Sequence, residues 1–164
     1  MTALYLLLGS NLGDRVFYLT EAARHLEAVL GKIALKSGLY ETAAWGLADQ
    51  PSFLNQVLVV QTDLSPLEVL THTQQIEQEL GRIRKERWGS RVIDIDLLFY
   101  GQQVLETDEL HLPHPQLHLR RFTLIPLAEV APTLLHPVLQ KTITQLLAEC
   151  PDSLEVKIFN VLMG

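Results

Sequence analysis

Two segments of this chain carry apolar residues at steps of three and four, and each sits between short apolar runs. Val16, Leu19, Ala23, Leu26 and Leu30 form the first stripe, closed by Gly31. Leu67, Leu70, Thr73, Ile76 and Leu80 form the second, closed by Gly81. This spacing marks amphipathic helices that bury one face. Ser65-Pro66-Leu67-Glu68 defines the start of the second: Ser65 suits the cap, Pro66 the first helical position, and Glu68 completes a capping box. Residues 3–8, 33–42, 53–63 and 92–100 are strand-length runs rich in Leu, Val and Ile. The order β-α-β-β-α-β predicts an α+β, ferredoxin-like sandwich, a mainly antiparallel sheet with helices packed on one face. A C-terminal elaboration follows: a turn at Gly101-Gln102, a short strand at 103–106, a proline-rich extended segment, helices over 121–130 and 139–149, and an edge strand at 154–159.

The 164 residues suit one domain spanning 1–164, with 48% apolar and 20% charged residues, the balance of a globular chain. A net charge of −6 argues against nucleic acid as a partner. Cys150 is the sole cysteine, so neither an internal disulfide nor a cysteine-based metal cluster can form. The opening MTALYLLLGSNLGDR lacks a basic leader and a cleavage motif and reads as a buried strand. No other apolar run approaches the ~18 residues of a membrane span. A soluble, cytoplasmic protein with no membrane partner is expected.

Chemistry is concentrated in RIRKERWGSRVIDIDLLFYG, residues 82–101. Arg82, Arg84, Lys85, Arg87 and Arg91 are five of only 13 basic residues in the chain, so positive charge is gathered at one place. Asp94 and Asp96 follow two apart, which on a strand puts both carboxylates on one face and Ile93 and Ile95 on the other. Paired carboxylates repel, and a divalent cation resolves that repulsion; Mg²⁺ takes carboxylate, phosphate and water oxygens. Arginine forks match phosphate. Cations beside a carboxylate pair describe a nucleoside triphosphate site. The alternative is that both acids face solvent or pair with the neighbouring arginines, as such pairs commonly do.

Weaker signals lie elsewhere. Gly9-Ser10-Asn11-Leu12-Gly13 joins a strand to a helix, a geometry that either aims backbone N–H groups at an anion or merely makes a tight turn. It is not a Walker A loop, which the chain lacks. Phe53 and Asn55 share a strand face and suit a heterocycle, one by stacking and one by reading its edge; a core Phe and a solvated Asn are the alternative. Gln74 and Glu77 are i, i+3 on the second helix, away from its apolar stripe, either as ligand contacts or as a solvated face. His111, His114 and His118 are spaced like zinc ligands, but Pro113 and Pro115 break any helix that would converge their rings. A single phosphate contact from His114, joined by one of Arg120 and Arg121, competes with a surface role for both.

Taken in order, GSNLGDR, DQPSFLNQV, GRIRKERWGSRVIDIDLLFYG and LPHPQLHLRRFTLIPLAEVAP resemble the 6-hydroxymethyl-7,8-dihydropterin pyrophosphokinase family from about residue 1 to about residue 137. The tail from about 138 is not diagnostic. The resemblance implies transfer of the β,γ-diphosphate of ATP to the hydroxymethyl oxygen of the pterin, leaving AMP, in folate biosynthesis. It implies two Mg²⁺ ions held by Asp94 and Asp96. By similarity, Gln74, Glu77, Arg84, Leu97 and His114 lie near ATP. Arg82, Arg91 and Arg120 neutralise phosphate charge. Phe53 and Phe122 sandwich the pterin, while Asn55 and the backbone around Thr42 read its edge. Loops at about 43–52 and 82–91, which contain Trp45 and Trp88, close over the substrates, and a monomer is expected. Ala43-Ala44 stand where the family often has proline, Trp45 where a smaller residue is common, and Phe53 where some members have Tyr. These departures bear on the loop and leave the carboxylate pair untouched. A nucleotidyltransferase also pairs a Gly-Ser turn with D-x-D, but about 80 residues separate Ser10 from Asp94 here. A non-catalytic ferredoxin-like module has no use for D-x-D beside an arginine-rich segment.

Overall fold

The computed structural model of the protein describes residues 1–43, 51–81 and 92–160. Strand β1 (Thr2–Ser10) runs through the middle of a six-stranded antiparallel sheet. Helix α1 (Arg15–Val29) follows, then β2 (Ile33–Lys36), β3 (Leu39–Thr42), β4 (Phe53–Thr62), helix α2 (Pro66–Gly81) and β5 (Asp94–Tyr100). β1 lies between β4 and β5, and β4 pairs on its far side with both β2 and β3. This is the arrangement expected of the β-α-β-β-α-β order. The C-terminal part adds a two-residue ladder of β6 (Leu105–Glu106) with β7 (His111–Leu112), helices α3 (Arg121–Val130) and α4 (Ile143–Glu149), and β8 (Val156–Phe159), which extends the sheet beside β3. No helix among the described residues is long and apolar enough to cross a membrane.

Each helix start has a local cause. Asp14 caps α1 by accepting from the backbone N–H of Phe17 at 3.1 Å. The capping box of α2 forms as its sequence predicts: Glu68 accepts from the Ser65 N–H at 3.0 Å and Ser65 Oγ from the Glu68 N–H at 3.3 Å. At the far end of α1, Gly31 has φ +143°, and a Cβ there would lie 2.0 Å from the carbonyl oxygen of Gln61. Only glycine lets the chain leave the helix that close to β4.

The sheet has two apolar faces. Leu4, Leu6, Leu8, Leu58, Val60, Ile95 and Leu97 point to one, where Leu19, Ala22, Ala23 and Leu26 of α1 and Val69 and Ile76 of α2 cover them. Leu7, Val57, Leu98 and Phe99 point to the other, covered by Leu117, Leu124 and Leu127 and by Ile143 and Leu146 of α4. The C-terminal elaboration thus packs on the face opposite α1 and α2. A register shift between Tyr5 and Leu6 lets β5 send both Leu98 and Phe99 to this second core.

Three local expectations are corrected. The single strand at 33–42 is two strands, broken at Ser37-Gly38. Ser37 exchanges bonds with Val57 through its backbone and its hydroxyl, and the Gly38 N–H donates to the Glu129 carboxylate of α3 at 3.1 Å. Tyr40 also donates to Glu129, at 2.6 Å; burial first, and then this carboxylate, push its phenol up to about 12. Second, the buried stripe of α2 is Val69, Thr73 and Ile76, whereas Leu67 is 46% exposed. Leu67 points to the side of the face that Val69, Thr73 and Ile76 turn to the sheet. Third, α4 starts at Ile143, not near 139, because Thr142 and Gln145 form a capping box there and Gln140 adopts φ +59°.

Replacing Leu58 by Ala, which empties a fully buried site, is expected to cost about 2–5 kcal/mol. Leu67→Ala is expected to stay within about 0.5 kcal/mol. Urea unfolding of both variants checks this, and equal losses would contradict the assignment of the α2 face.

Candidate active site

The β1 register builds the floor of a cavity of about 220 Å³ on the second face of the sheet. Gly9 stands opposite Asp94 on one side and Asn55 on the other, and Asn55 in turn faces Tyr40. Leu7 stands opposite Asp96, and Thr42 opposite Phe53. Side chains alternate along strands, so Asp94 and Asp96 share this face, as do Phe53 and Asn55. Both inferences from spacing therefore hold. Arg120 and Phe122, at the start of α3, close the cavity, with the Arg120 guanidinium 5.7 Å from the Phe122 ring centre. Thr42, Phe53, Asn55, Asp94, Asp96, Arg120 and Phe122, expected to act together, line this one cavity.

Gly9 was legible only as part of a turn. The structure puts it inside β1, where an added Cβ would lie 2.6 Å from Asn55 Oδ1. Its missing side chain is the space that the Asn55 amide occupies. Asn55 is 3% exposed and Thr42 also 3%, yet both line the cavity. Among the described residues the buried Thr42 hydroxyl has no hydrogen-bond partner. An unpaired buried hydroxyl costs free energy unless a polar group meets it, and this one faces the cavity. The alternative of a solvated Asn55 is overturned. At the start of α1 the Asp14 carboxylate accepts from the Phe17 N–H, which favours the tight-turn reading of Gly9–Gly13.

The other expected contacts stand apart from this cavity. The Leu97 side chain is 4% exposed and packs into the first core, on the face opposite the two aspartates. A contact to nucleotide from Leu97 must use its backbone. Gln74 is exposed on α2. Glu77, one turn on, accepts from the Ile95 N–H at 2.7 Å, which ties α2 to the free edge of β5 between the two aspartates. Trp45, Arg82, Arg84, Trp88 and Arg91 lie outside the described residues, as do most of the two expected loops.

His114 is set by its surroundings. Its N–H donates to the Leu98 carbonyl at 2.9 Å, which fixes the segment against β5. Its Nδ1 accepts from the Gln116 N–H at 3.1 Å, so the neutral ring carries its proton on Nε2. Burial, and secondarily the nearby Arg120 guanidinium, push its pKa from 6.5 down to about 4. His114 is therefore a neutral donor at neutral pH. The protein keeps this contribution to stability above the ordinary histidine range and loses it as pH falls through about 4.

Among the described residues no group of three or more His, Cys, Asp or Glu side chains converges on a metal position. The donor set available is the Asp94–Asp96 pair, facing a cavity whose neighbouring position is a glycine. Two hard carboxylates with open room beside them suit Mg²⁺, which usually takes one or two carboxylates and completes its shell with water and phosphate.

An NMR pH titration of the imidazole signals checks the state of His114: its resonance is expected to titrate near 4. A midpoint in the ordinary histidine range would contradict the buried, neutral assignment.

A sequence model described as 7,8-dihydro-6-hydroxymethylpterin-pyrophosphokinase (HPPK) matches residues 5–132. Among proteins named 2-amino-4-hydroxy-6-hydroxymethyldihydropteridine pyrophosphokinase, that of Aquifex aeolicus is 43% identical over 145 residues, 88% of this chain and 90% of that protein. The Bacillus subtilis protein is 45% identical over 77% of this chain and 76% of its own, and the Haemophilus influenzae protein 36% identical over 96% and 99%. Among solved structures, an HPPK-DHPS in complex with substrates superposes with a TM-score of 0.73 at 16% identity over 90% of this chain. A Plasmodium falciparum HPPK-DHPS triple mutant gives 0.74 at 20% identity over 90% of this chain. The present chain spans 43% and 44% of those two, and at that identity they establish the fold. With the sequence match covering most of its length, the chain belongs to the HPPK family of pyrophosphokinases.

Proposed function

We propose that the protein transfers the β,γ-diphosphate of ATP to the hydroxymethyl oxygen of 6-hydroxymethyl-7,8-dihydropterin, giving AMP and the pterin diphosphate, as a step in folate biosynthesis. The observation that carries this reading is one cavity holding, at one end, an amide and a buried hydroxyl with no partner among the described residues, and two aspartates at the other. A flat heterocycle with donor and acceptor edges fits the first end; a polyphosphate fits the second.

In this reading Phe53 and Phe122 take the two faces of the pterin, and Asn55 and Thr42 read its edge. Phe53 in place of tyrosine keeps the stack without adding a hydroxyl. The hydroxymethyl oxygen attacks the β-phosphorus in line; an O–Pβ bond forms, the bridge to the α-phosphorus breaks, and AMP leaves with the electron pair. The hydroxymethyl proton passes to solvent as the bond forms. Asp94 and Asp96 would hold two Mg²⁺ ions, which supply charge neutralisation to the triphosphate. Arg120, with Arg82 and Arg91, balances the remaining negative charge, and the Nε2–H of His114 donates without adding charge of its own. Gln74, Glu77, Arg84 and the backbone at Leu97 complete the nucleotide side, and Trp45 and Trp88 the cover over the pterin. Water exclusion favours the pterin oxygen over water as acceptor. The protein is proposed to act as a monomer in the cytoplasm.

Incubation of the purified protein with ATP, Mg²⁺ and hydroxymethyl-dihydropterin is expected to give AMP; ADP or no product would sink the proposal. Asp94→Ala and Asp96→Ala are each expected to reduce kcat by roughly a thousandfold or more, since the loss of charge stabilisation at a phosphoryl centre is worth that much. Near-normal rates in both would exclude the metal-holding role.

A further inference from the structure

The GSNLGDR turn contains Arg15, to which none of the functions above assigns a role. Its guanidinium lies where the two ends of segment 43–52 leave the sheet. Arg15 Nη1 donates to Glu41 Oε2 at 2.7 Å and to the Ser52 carbonyl at 3.0 Å, and the group sits 5.3 Å from the Phe159 ring centre. Glu41 immediately precedes Thr42, and Ser52 immediately precedes Phe53. One cation therefore grips the end of β3 and the residue just before β4. A second grip comes from the same turn: Asn11 Nδ2 donates to the Pro51 carbonyl at 3.2 Å.

We infer that Arg15 is a positioning residue for the pterin end of the site: by cross-linking Glu41 to Ser52 it fixes the spacing of Thr42 and Phe53. Three observations support this. Thr42 and Phe53 are the last described cross-strand pair of the β3–β4 ladder, and both line the cavity, so their spacing shapes its wall. The Arg15 side chain is 22% exposed, so its ion pair is partly desolvated and bears more than a surface pair would. Its contacts are a carboxylate on β3 and a backbone carbonyl just before β4, both met by Nη1, while the planar guanidinium also lies over the Phe159 ring, a stacking that a lysine ammonium reproduces less well. Asp94 and Asp96 lie on β5, across β1 and β4 from this bridge, so the nucleotide end does not depend on it.

The inference rests on the proposed pterin reaction and is tested within it by steady-state kinetics on the whole protein. Arg15→Ala is expected to raise the KM for the pterin about five- to tenfold while changing the KM for ATP less than about twofold, because binding geometry is lost at one substrate only. Arg15→Lys should recover part of the loss. Glu41→Gln, which leaves Arg15 and its Ser52 contact in place, should raise the pterin KM by about two- to threefold. In the double variant Arg15→Ala/Glu41→Gln the pterin KM should match that of Arg15→Ala alone, since both act through one bridge. If Arg15→Ala does not fold, Arg15→Lys and Glu41→Gln carry the test. An unchanged pterin KM, or equal rises for ATP and pterin, would overturn the positioning role. Absence of AMP formation by the wild-type protein would instead overturn the reaction itself, so the two failures are distinguishable.

Discussion

The antiparallel register of β1 between β4 and β5 is the constraint on which the site depends. It sets Gly9 between Asp94 and Asn55, so one residue without a side chain separates the carboxylates from the amide. A shift of one residue would turn all of these groups to the other face, into the core under α1 and α2. Leucines on alternate β1 positions prevent that shift. Leu4, Leu6 and Leu8 are fully buried on one side, while Leu7 is buried on the other beside the cavity. The hydrophobic pattern that folds the sheet thus also aligns its polar groups.

The two faces of the sheet divide the work. Helices α1 and α2 cover one face with apolar contacts and reach the edges of the site through Arg15 and Glu77. Helix α3 covers the other face, and its start supplies Arg120 and Phe122 as a wall. A cavity at the boundary between a packed core and the end of a sheet can be partly buried yet open to substrate. Burial is felt by His114, whose low pKa follows from desolvation beside a guanidinium. Such a ring donates a hydrogen bond while adding no charge.

The element order was legible because each helix stripe and each strand run has its own period, and the cap signals at Ser65 and Glu68 act locally. The same holds for Asp94 and Asp96, and for Phe53 and Asn55, since alternation along a strand needs no tertiary information. What escaped was set by contacts distant in sequence. The break at Ser37-Gly38 is held by Glu129, ninety-one residues away. The exposure of Leu67 depends on how α2 meets the sheet, and the core-facing side chain of Leu97 leaves only its backbone for the nucleotide contact that the resemblance implies. The role of Gly9 depends on the Asn55 side chain across the ladder, and that of Arg15 on Glu41 and Ser52, none of which periodicity reveals.

The proposed reaction requires one cavity to align a pterin hydroxymethyl group with the β-phosphorus of ATP. A crystal structure with Mg²⁺, a non-hydrolysable ATP analogue and hydroxymethyl-dihydropterin tests it most directly. The account predicts the pterin ring between Phe53 and Phe122, its edge on Asn55, and its hydroxymethyl oxygen about 3–3.5 Å from the β-phosphorus, the distance of a near-attack arrangement. A pterin bound away from Asn55, or an oxygen aligned with the γ-phosphorus, would contradict it.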